Sequence, residues 1–190
     1  TKRIQDGVVR IEFVSGDNAK EFVKKKQYDS ESKEKEEKLK EQVKEKRSEQ
    51  RQLAKERIPV IAKSLLECKQ GTITVDNITM ELADSGKANF CYSTSDNYDD
   101  VFHIGLGEVL CKADPKLVYC GLFEQGEKIR VIVYAGENIS KEKSAGEIVK
   151  SISQILGGAG GGSPKFAQGG GIDKSKKEDA IKNAKSMIIE

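Results

Sequence analysis

The chain has 190 residues, 36% of them hydrophobic, and its 33 basic and 31 acidic residues leave a formal net charge of +2. This length accommodates one globular domain of ordinary size with an appendage. A charge so close to balance argues against a uniformly basic nucleic-acid binder, so any RNA-binding surface must be a local patch. The sequence has no apolar stretch long enough to cross a bilayer, and no membrane partner is expected.

The first residues predict a short strand followed by a helix start. Val8, Ile11, Phe13 and Val14 are apolar and lie between Gly7 and Gly16. Asp17 or Asn18 can then cap a helix. Thr1 in place of Met suggests a piece of a longer chain.

A long charged helix is predicted from about residue 20 to residue 57, because this segment contains good helix formers and neither Gly nor Pro. Glutamate–lysine pairs four residues apart, such as Glu36 and Lys40, support it. Leu39, Val43 and Leu53 fall near coiled-coil spacing, but polar residues interrupt the seam. The segment is therefore either a solvated helical arm or a partly frayed charged spacer.

Pro59 is expected to break or kink this helix, and a second, apolar helix is expected to follow and to end at Gly71. The two helices would form an N-terminal helical hairpin, a dimerisation arm over residues 20–71. Its apolar face must pack on the adjacent domain, on the hairpin itself or on another copy of the chain. We expect a homodimer, with an interface formed by Leu39, Val43, Leu53, Ile58, Ile61, Leu65 and Cys68.

Residues 72–190 predict a globular domain, with a mixed β-sheet flanked by helices, of the α+β or α/β class. Ile73–Val75 and Ile78–Leu82 alternate around an Asp76-Asn77 turn, which is typical of a hairpin. Further strands are expected over residues 89–94, 117–123 and 129–135. Helices are expected over residues 101–112, after a cap at Ser140, and after a Ser175–Glu178 capping box.

The segment 157–171 is unusually rich in glycine, with eight glycines in fifteen residues. Glycine tolerates positive φ, so the segment could curl and expose successive N–H groups to an anion such as an RNA phosphate. A flexible linker is the alternative, although Pro164, Phe166 and Ala167 are unusual in linkers. The candidate anion-binding glycines are Gly157, Gly158, Gly160, Gly161, Gly162, Gly169, Gly170 and Gly171.

The order of residues in this segment resembles the glycine-rich signature of the C-terminal domain of alanyl-tRNA synthetases, of the archaeal type. The matching positions are the glycines just named together with Pro164 and Ala167. Residues 1–19 likewise resemble the closing strand of the synthetase editing domain. A related domain follows the catalytic domain of DHH-type phosphoesterases, where a histidine commonly follows the glycine run; Ser163 stands here instead.

The resemblance implies a tRNA-binding and dimerisation module of a cytoplasmic alanine–tRNA ligase. It implies contact with the elbow of tRNA(Ala) in support of aminoacylation and editing. ATP, magnesium and zinc would then serve the parent enzyme and not this chain. The alternative is the substrate-binding domain of a DHH-type phosphoesterase or of a free-standing alanyl-tRNA editing protein.

The chain itself is expected to be non-catalytic and to hold no metal. His103 is the only histidine and lies in a predicted helix, and no Walker pattern is present. The four cysteines are scattered without metal-ligand spacing, as in reduced cytoplasmic proteins. Binding residues are instead expected at Lys165, Gln168, Lys174, Lys176 and Lys177, although a solvated lysine-rich turn explains the last three equally well.

Overall fold

A computed structural model describes residues 2–5, 8–10, 15–67, 71–75, 78–84 and 88–189. The chain divides into two compact units, Thr1–Arg47 and Ser48–Glu190. In the first unit, strand β1 (Lys2–Gln5) pairs antiparallel with β2 (Val8–Arg10), ahead of helix α1 (Asp17–Glu67). The strand predicted from Val8 therefore begins as expected, while its residues 11–14 lie outside the described residues. No helix in the described ranges is long and apolar enough to span a membrane.

Helix α1 is continuous across Pro59, so the predicted helical hairpin is wrong. A proline inside a helix costs about 3 kcal/mol, because it removes one hydrogen bond and crowds the preceding turn. Packing offsets that cost here. Five residues at helical spacing become buried in the second unit: Ala54, Ile58, Ile61, Ala62 and Leu65. The three larger side chains each contribute roughly 1.5–3 kcal/mol.

The same burial corrects part of the predicted dimer interface. Ile58, Ile61 and Leu65 are covered by their own chain, at 8%, 0% and 2% exposure, and cannot also form a surface between copies. Leu53 packs half-buried against the same cluster. Leu39 and Val43 remain exposed, at 61% and 51%. Cys68 lies outside the described residues.

The second unit contains a seven-stranded mixed sheet in the order β3-β4-β5-β6-β7-β9-β8. Its strands are β3 (Gly71–Val75), β4 (Ile78–Asp84), β5 (Asn89–Ser93), β6 (Leu117–Gln125), β7 (Lys128–Ala135), β8 (Ala159–Gly162) and β9 (Phe166–Gly171). Only the β5–β6 pair is parallel among the described pairs, because helix α2 (Asp100–Ala113) crosses over between them. The predicted mixed sheet is confirmed, including the hairpin with Val75 opposite Ile78.

Helices cover the sheet on both faces. Helices α3 (Ala145–Ile155) and α4 (Lys177–Ile189) bury one face, with Ile148, Ile152 and Ala184 in the core. Helix α2 and the end of α1 bury the other, where Phe102 and Leu106 meet Ile61. The sheet is thus the middle layer of a three-layer unit.

Two predicted helix caps are wrong. Ser144, and not Ser140, precedes α3, while Ser140 donates its hydroxyl hydrogen to the carbonyl of Glu137. Asp173, and not Ser175, caps the turn that leads into α4, and it accepts hydrogen bonds from the Ser175 N–H and hydroxyl. Asp99 caps α2, since its carboxylate accepts hydrogen bonds from the N–H groups of Val101 and Phe102.

Candidate nucleic-acid interface

The glycine-rich segment is an antiparallel hairpin at one edge of the sheet, and the predicted curled loop is wrong. Strands β8 and β9, joined by the turn 163–165, form what we call the glycine hairpin. Strand β9 is paired on both sides, with β7 and with β8, so its peptide groups are used in ladders. Within the segment only Gly157 has a positive φ, of 70°.

Close packing against α3 explains why one face of the hairpin carries glycines. A Cβ on Gly160 would lie 2.7 Å from Ser153 Oγ, and one on Gly169 would lie 2.8 Å from Val149 Cγ1. Both distances are shorter than real contacts allow, so no larger residue fits beneath this helix. The Gly170 N–H donates a hydrogen bond of 3.1 Å to Ser153 Oγ. These glycines let the helix sit directly on the strands.

The opposite face of the hairpin carries no such helix packing and is open at Gly161, where an added Cβ would meet nothing within 4 Å. Cross-strand register places Arg130, Gly170 and Ala159 in one row of this face. The next row contains Ile132, Gln168 and Gly161, and the third contains Tyr134 and Phe166. Ile132 itself is fully buried, so we call the remaining residues of these rows, with Lys128 at their end, the open face.

A cleft of about 430 Å³ lies at the cationic end of the open face. Lys128, Arg130 and Gln168 line it together with hairpin backbone, and Ile172, which is 67% exposed, stands beside it. The Nε atom of Arg130 is buried and has no hydrogen-bond partner among the described residues. A buried cationic donor left without a partner favours an acceptor from outside the chain.

Each of the four predicted binding lysines already contacts a carboxylate. Lys165 Nζ lies 3.1 Å from Glu137 and lowers the pKa of that carboxyl, chiefly through the hydrogen bond between them. Lys174 pairs with Glu124, and Lys176 lies 3.5 Å from Asp173. Asp173 has a lowered pKa as well, chiefly because it accepts a hydrogen bond from Ser175.

Lys177 is the most enclosed of the four, with 18% of its side chain exposed. Its Nζ lies 3.0 Å from Asp96 Oδ1 and donates to the carbonyl of Thr94 at 3.3 Å. It therefore ties α4 to the end of β5, and we assign it a structural role.

The structure gathers the predicted residues only in part. Gln168 shares the cleft with glycines 157, 158 and 169–171, whereas Gly160 and Gly162 face the other way. Lys165 lies before β9 and Lys174 after it, and a six-residue strand spans about 20 Å. These lysines therefore do not form one cluster.

Sequence reasoning missed Lys128 and Arg130. Both lie in β7, a strand that the sequence did predict, and their two-residue spacing puts them on one face. That alternation was the available signal. The alternation alone could not show that these two cations lie beside the glycine hairpin, because that depends on the pairing of β9 with β7, which brings Gly170 opposite Arg130.

The single histidine and the described cysteines lie in the core. His103 is buried against Phe123, with Nδ1 2.7 Å from Tyr119 Oη, and burial lowers its pKa to about 4. Burial also raises the pKa of Cys111 and Cys120 to about 12, which keeps these thiols protonated and unreactive. No three metal-ligating side chains converge in the part of the chain that the structure describes.

Comparison with known proteins gives consistent matches. Residues 88–190 match the DHHA1 domain family. Over 189 residues, the chain is 47% identical to the alanine–tRNA ligase of Nitrosopumilus maritimus and 39% identical to that of Cenarchaeum symbiosum. It spans only 20% of the length of each. Among solved structures, the C-Ala domain of Aquifex aeolicus alanyl-tRNA synthetase is 25% identical, with a TM-score of 0.55, covering 58% of this chain and all of that one.

Proposed function

The chain belongs to the DHHA1 domain family, in the branch that forms the C-terminal domain of alanyl-tRNA synthetases, and we propose that it is a non-catalytic module that binds tRNA(Ala) at its elbow. In this role it supports aminoacylation and editing by a parent ligase in the cytoplasm. The observation that carries the proposal is similarity to one fifth of an alanine–tRNA ligase along the whole of this chain, together with an open cationic face beside the glycine hairpin.

The geometry supports binding over chemistry. Backbone and two cations line an accessible cleft, while the only histidine and the described thiols are enclosed in the core. Exposed Lys165, Lys174 and Lys176 can exchange their carboxylate partners for phosphates, because exposed ion pairs contribute little. In this proposal the ATP, magnesium and zinc of the parent enzyme are bound by its other domains.

The phosphoesterase alternative is less favoured. The histidine that commonly follows the glycine run in that branch is Ser163 here, and its hydroxyl is used within the hairpin turn with the backbone of Phe166. Ser163 at this position is not a general acid or base of the kind that a histidine provides. The hairpin therefore retains the surface for a ligand without a group that could act on it.

We also propose that the arm dimerises the parent enzyme through Leu39 and Val43, which are apolar and largely exposed. Two apolar residues four apart form one short stripe on a helix, which is the spacing a partner helix requires. Sedimentation of the chain at tens of micromolar tests this. We expect a dimer that becomes a monomer in the Leu39→Lys, Val43→Lys double variant; a monomeric wild-type chain would contradict the proposal.

Binding is tested by titrating the 190-residue chain into labelled tRNA(Ala) transcript over a series of salt concentrations. If phosphates are held electrostatically, the log–log slope is about −0.7 to −0.9 per contact. Replacing Lys165, Lys174 and Lys176 by Ala should make it shallower. An unchanged slope assigns the phosphates to other residues, and absence of binding by the wild-type chain at low salt refutes the function itself.

A further inference from the structure

We propose that a groove between helices α1 and α2 binds an acidic amphipathic helix from the part of the parent ligase that lies outside this chain. The inference goes beyond RNA binding, although it rests on the proposal that the chain is one module of a larger enzyme. The groove lies on the face of the sheet where the end of α1 packs beside α2, and we call it the helix groove.

The helix groove forms because α1 and α2 touch closely at one point and leave space beside it. A Cβ added to Gly105 would lie 2.6 Å from Ile58 Cδ1, so the two helices are in direct contact there. A cleft of about 460 Å³ lies next to this contact, within the second unit. Its volume falls in the range of pockets that enclose ligands.

The interior of the helix groove is apolar and partly uncovered. On α1, Ala54 and Ile58 are buried, while Pro59 beside them is exposed. On α2, Val101 is half-buried and Val109 is 41% exposed. Apolar side chains left uncovered along a cleft are typical of surfaces that bind a partner.

The rim of the helix groove is basic. Arg51 and Lys55 lie one turn apart on α1, and Lys112 lies on α2. Among the described lining residues Glu108 alone is acidic, so three cations and one carboxylate give a net charge of +2. None of the three cations has an ion-pair partner in the part of the chain that the structure describes. Acidic side chains beside the apolar stripe of a partner would complement this rim.

A helix fits this groove better than an extended strand or RNA. Two packed helices offer ridges and grooves to a third, with its axis about 8–10 Å away. An extended strand needs a free sheet edge for its backbone hydrogen bonds, which a pair of helices does not offer. RNA would lie over an apolar floor whose described lining includes no aromatic ring for stacking. An amphipathic helix buries its apolar face there and satisfies its own backbone.

The parent ligase is the source that we favour for this helix. The chain spans only 20% of the length of each of the two ligases compared above, so most of such an enzyme lies outside the structure. Its covalent connection would keep that part at a high effective concentration near the groove. A second copy of the chain fits less well. Its exposed stripe, Leu39 and Val43, has Lys35 and Lys46 within one turn, and these charges would repel the basic rim.

The test measures how fast iodoacetamide alkylates a thiol in the groove, in the 190-residue chain and in the full-length parent ligase. Val109→Cys places the thiol on the exposed wall of the groove. Val60→Cys, at a site that is 57% exposed and outside the groove lining, is the matched control. Mass spectrometry locates each label, and the buried Cys91, Cys111 and Cys120 should react little. Thermal melting verifies that each variant is folded.

We expect the Val109→Cys thiol to react about tenfold more slowly in the parent ligase than in the chain, because a docked helix covers it. The Val60→Cys thiol should react at rates within about twofold of each other in the two proteins. In the ligase, adding Arg51→Gln and Lys55→Gln should restore most of the lost reactivity, because the rim no longer attracts the acidic partner. Lys116→Gln with Lys182→Gln removes the same charge from exposed positions elsewhere and should restore none.

Equal reactivity of the Val109→Cys thiol in the chain and in the ligase overturns the inference. Equal protection of both thiols, or protection that persists without the two rim cations, overturns it too. Protection that grows with the concentration of the isolated chain assigns the groove to a second copy, and protection that requires added tRNA(Ala) assigns it to RNA; both results contradict the proposal. All of these results leave the proposed function standing, because the tRNA titration described above tests that function separately.

Discussion

Ser153 Oγ accepts a hydrogen bond of 3.1 Å from the backbone N–H of Gly170, and this contact joins α3 to the glycine hairpin. Ser153 is fully buried, so water cannot replace it. We expect Ser153→Ala to lower the free energy of unfolding by about 0.5–1.5 kcal/mol, because the part-buried N–H of Gly170 loses its partner. Urea denaturation measures this. Ser144→Ala, at the start of the same helix and without a capping hydrogen bond, should cost less; equal costs would contradict the assignment.

Gly160 and Gly161 are adjacent but face opposite sides of the hairpin. Gly160→Ala should destabilise the fold by about 1–3 kcal/mol, since its methyl group would overlap Val149 and Ser153. Gly161→Ala should leave stability unchanged or slightly higher, because its methyl group meets nothing and strands disfavour glycine. Paired thermal melts decide the matter. A Gly160→Ala variant as stable as Gly161→Ala would show that α3 does not press on the hairpin.

Pro59 lies on the exposed side of a continuous helix. Pro59→Ala should therefore raise the free energy of unfolding by about 1–3 kcal/mol, because it restores a helical hydrogen bond and removes a steric clash. Part of the gain is offset by the greater freedom of the unfolded chain. Chemical denaturation with circular dichroism measures both stability and helicity. If the substitution destabilises the chain, residues 58–60 form a turn and the helical hairpin must be reconsidered.

His103 makes stability depend on pH. Burial lowers its pKa to about 4, against the pull of the nearby Ser95 backbone and Asp96 and with a smaller contribution from Lys177. An unfolded histidine titrates near 6.5, so the unfolded chain binds more protons between these values. Above pH 6.5 His103 is neutral in both the folded and the unfolded chain, and it does not reduce stability. As pH falls from 6.5 toward 4, the free energy of unfolding decreases by up to about 1.4 kcal/mol per pH unit.

Urea unfolding at pH 7, 6 and 5 measures this dependence. His103→Gln keeps a polar group near Tyr119 Oη but cannot titrate, so its stability should fall less steeply than that of the wild type over the same range. Identical slopes for the two proteins would mean that other groups cause the loss.

Lys177 and Lys176 provide a contrast between structural and exposed lysines. Lys177→Ala should cost about 1–2 kcal/mol, because it removes two contacts from a mostly enclosed ammonium group. Lys176→Ala should cost less than about 0.5 kcal/mol, as its pair with Asp173 is exposed. Thermal denaturation compares them. If RNA binding falls in Lys177→Ala while the fold is unaffected, our structural assignment of this residue is wrong.

Outside the glycine segment, the sequence by itself determined the succession of helices and strands in the globular unit, because periods of two and 3.6 residues depend on near neighbours. It also determined the family, since the order of glycines around Pro164 and Ala167 is specific. Local sequence patterns did not predict the structure where the stability of an element depends on contacts with residues distant in sequence. The continuity of α1 through Pro59 follows from burial of Ile61 against α2.

The tertiary structure alone decided what the glycines do. Their backbone freedom suggested a curled anion cradle, but pairing of β9 with β7 draws them into the sheet, and packing of α3 explains why side chains are missing on one face. The same pairing brings Arg130, forty residues away in sequence, opposite Gly170. A sequence shows where glycines lack a side chain. Only the packed fold determines which atoms, if any, occupy the space beside each glycine.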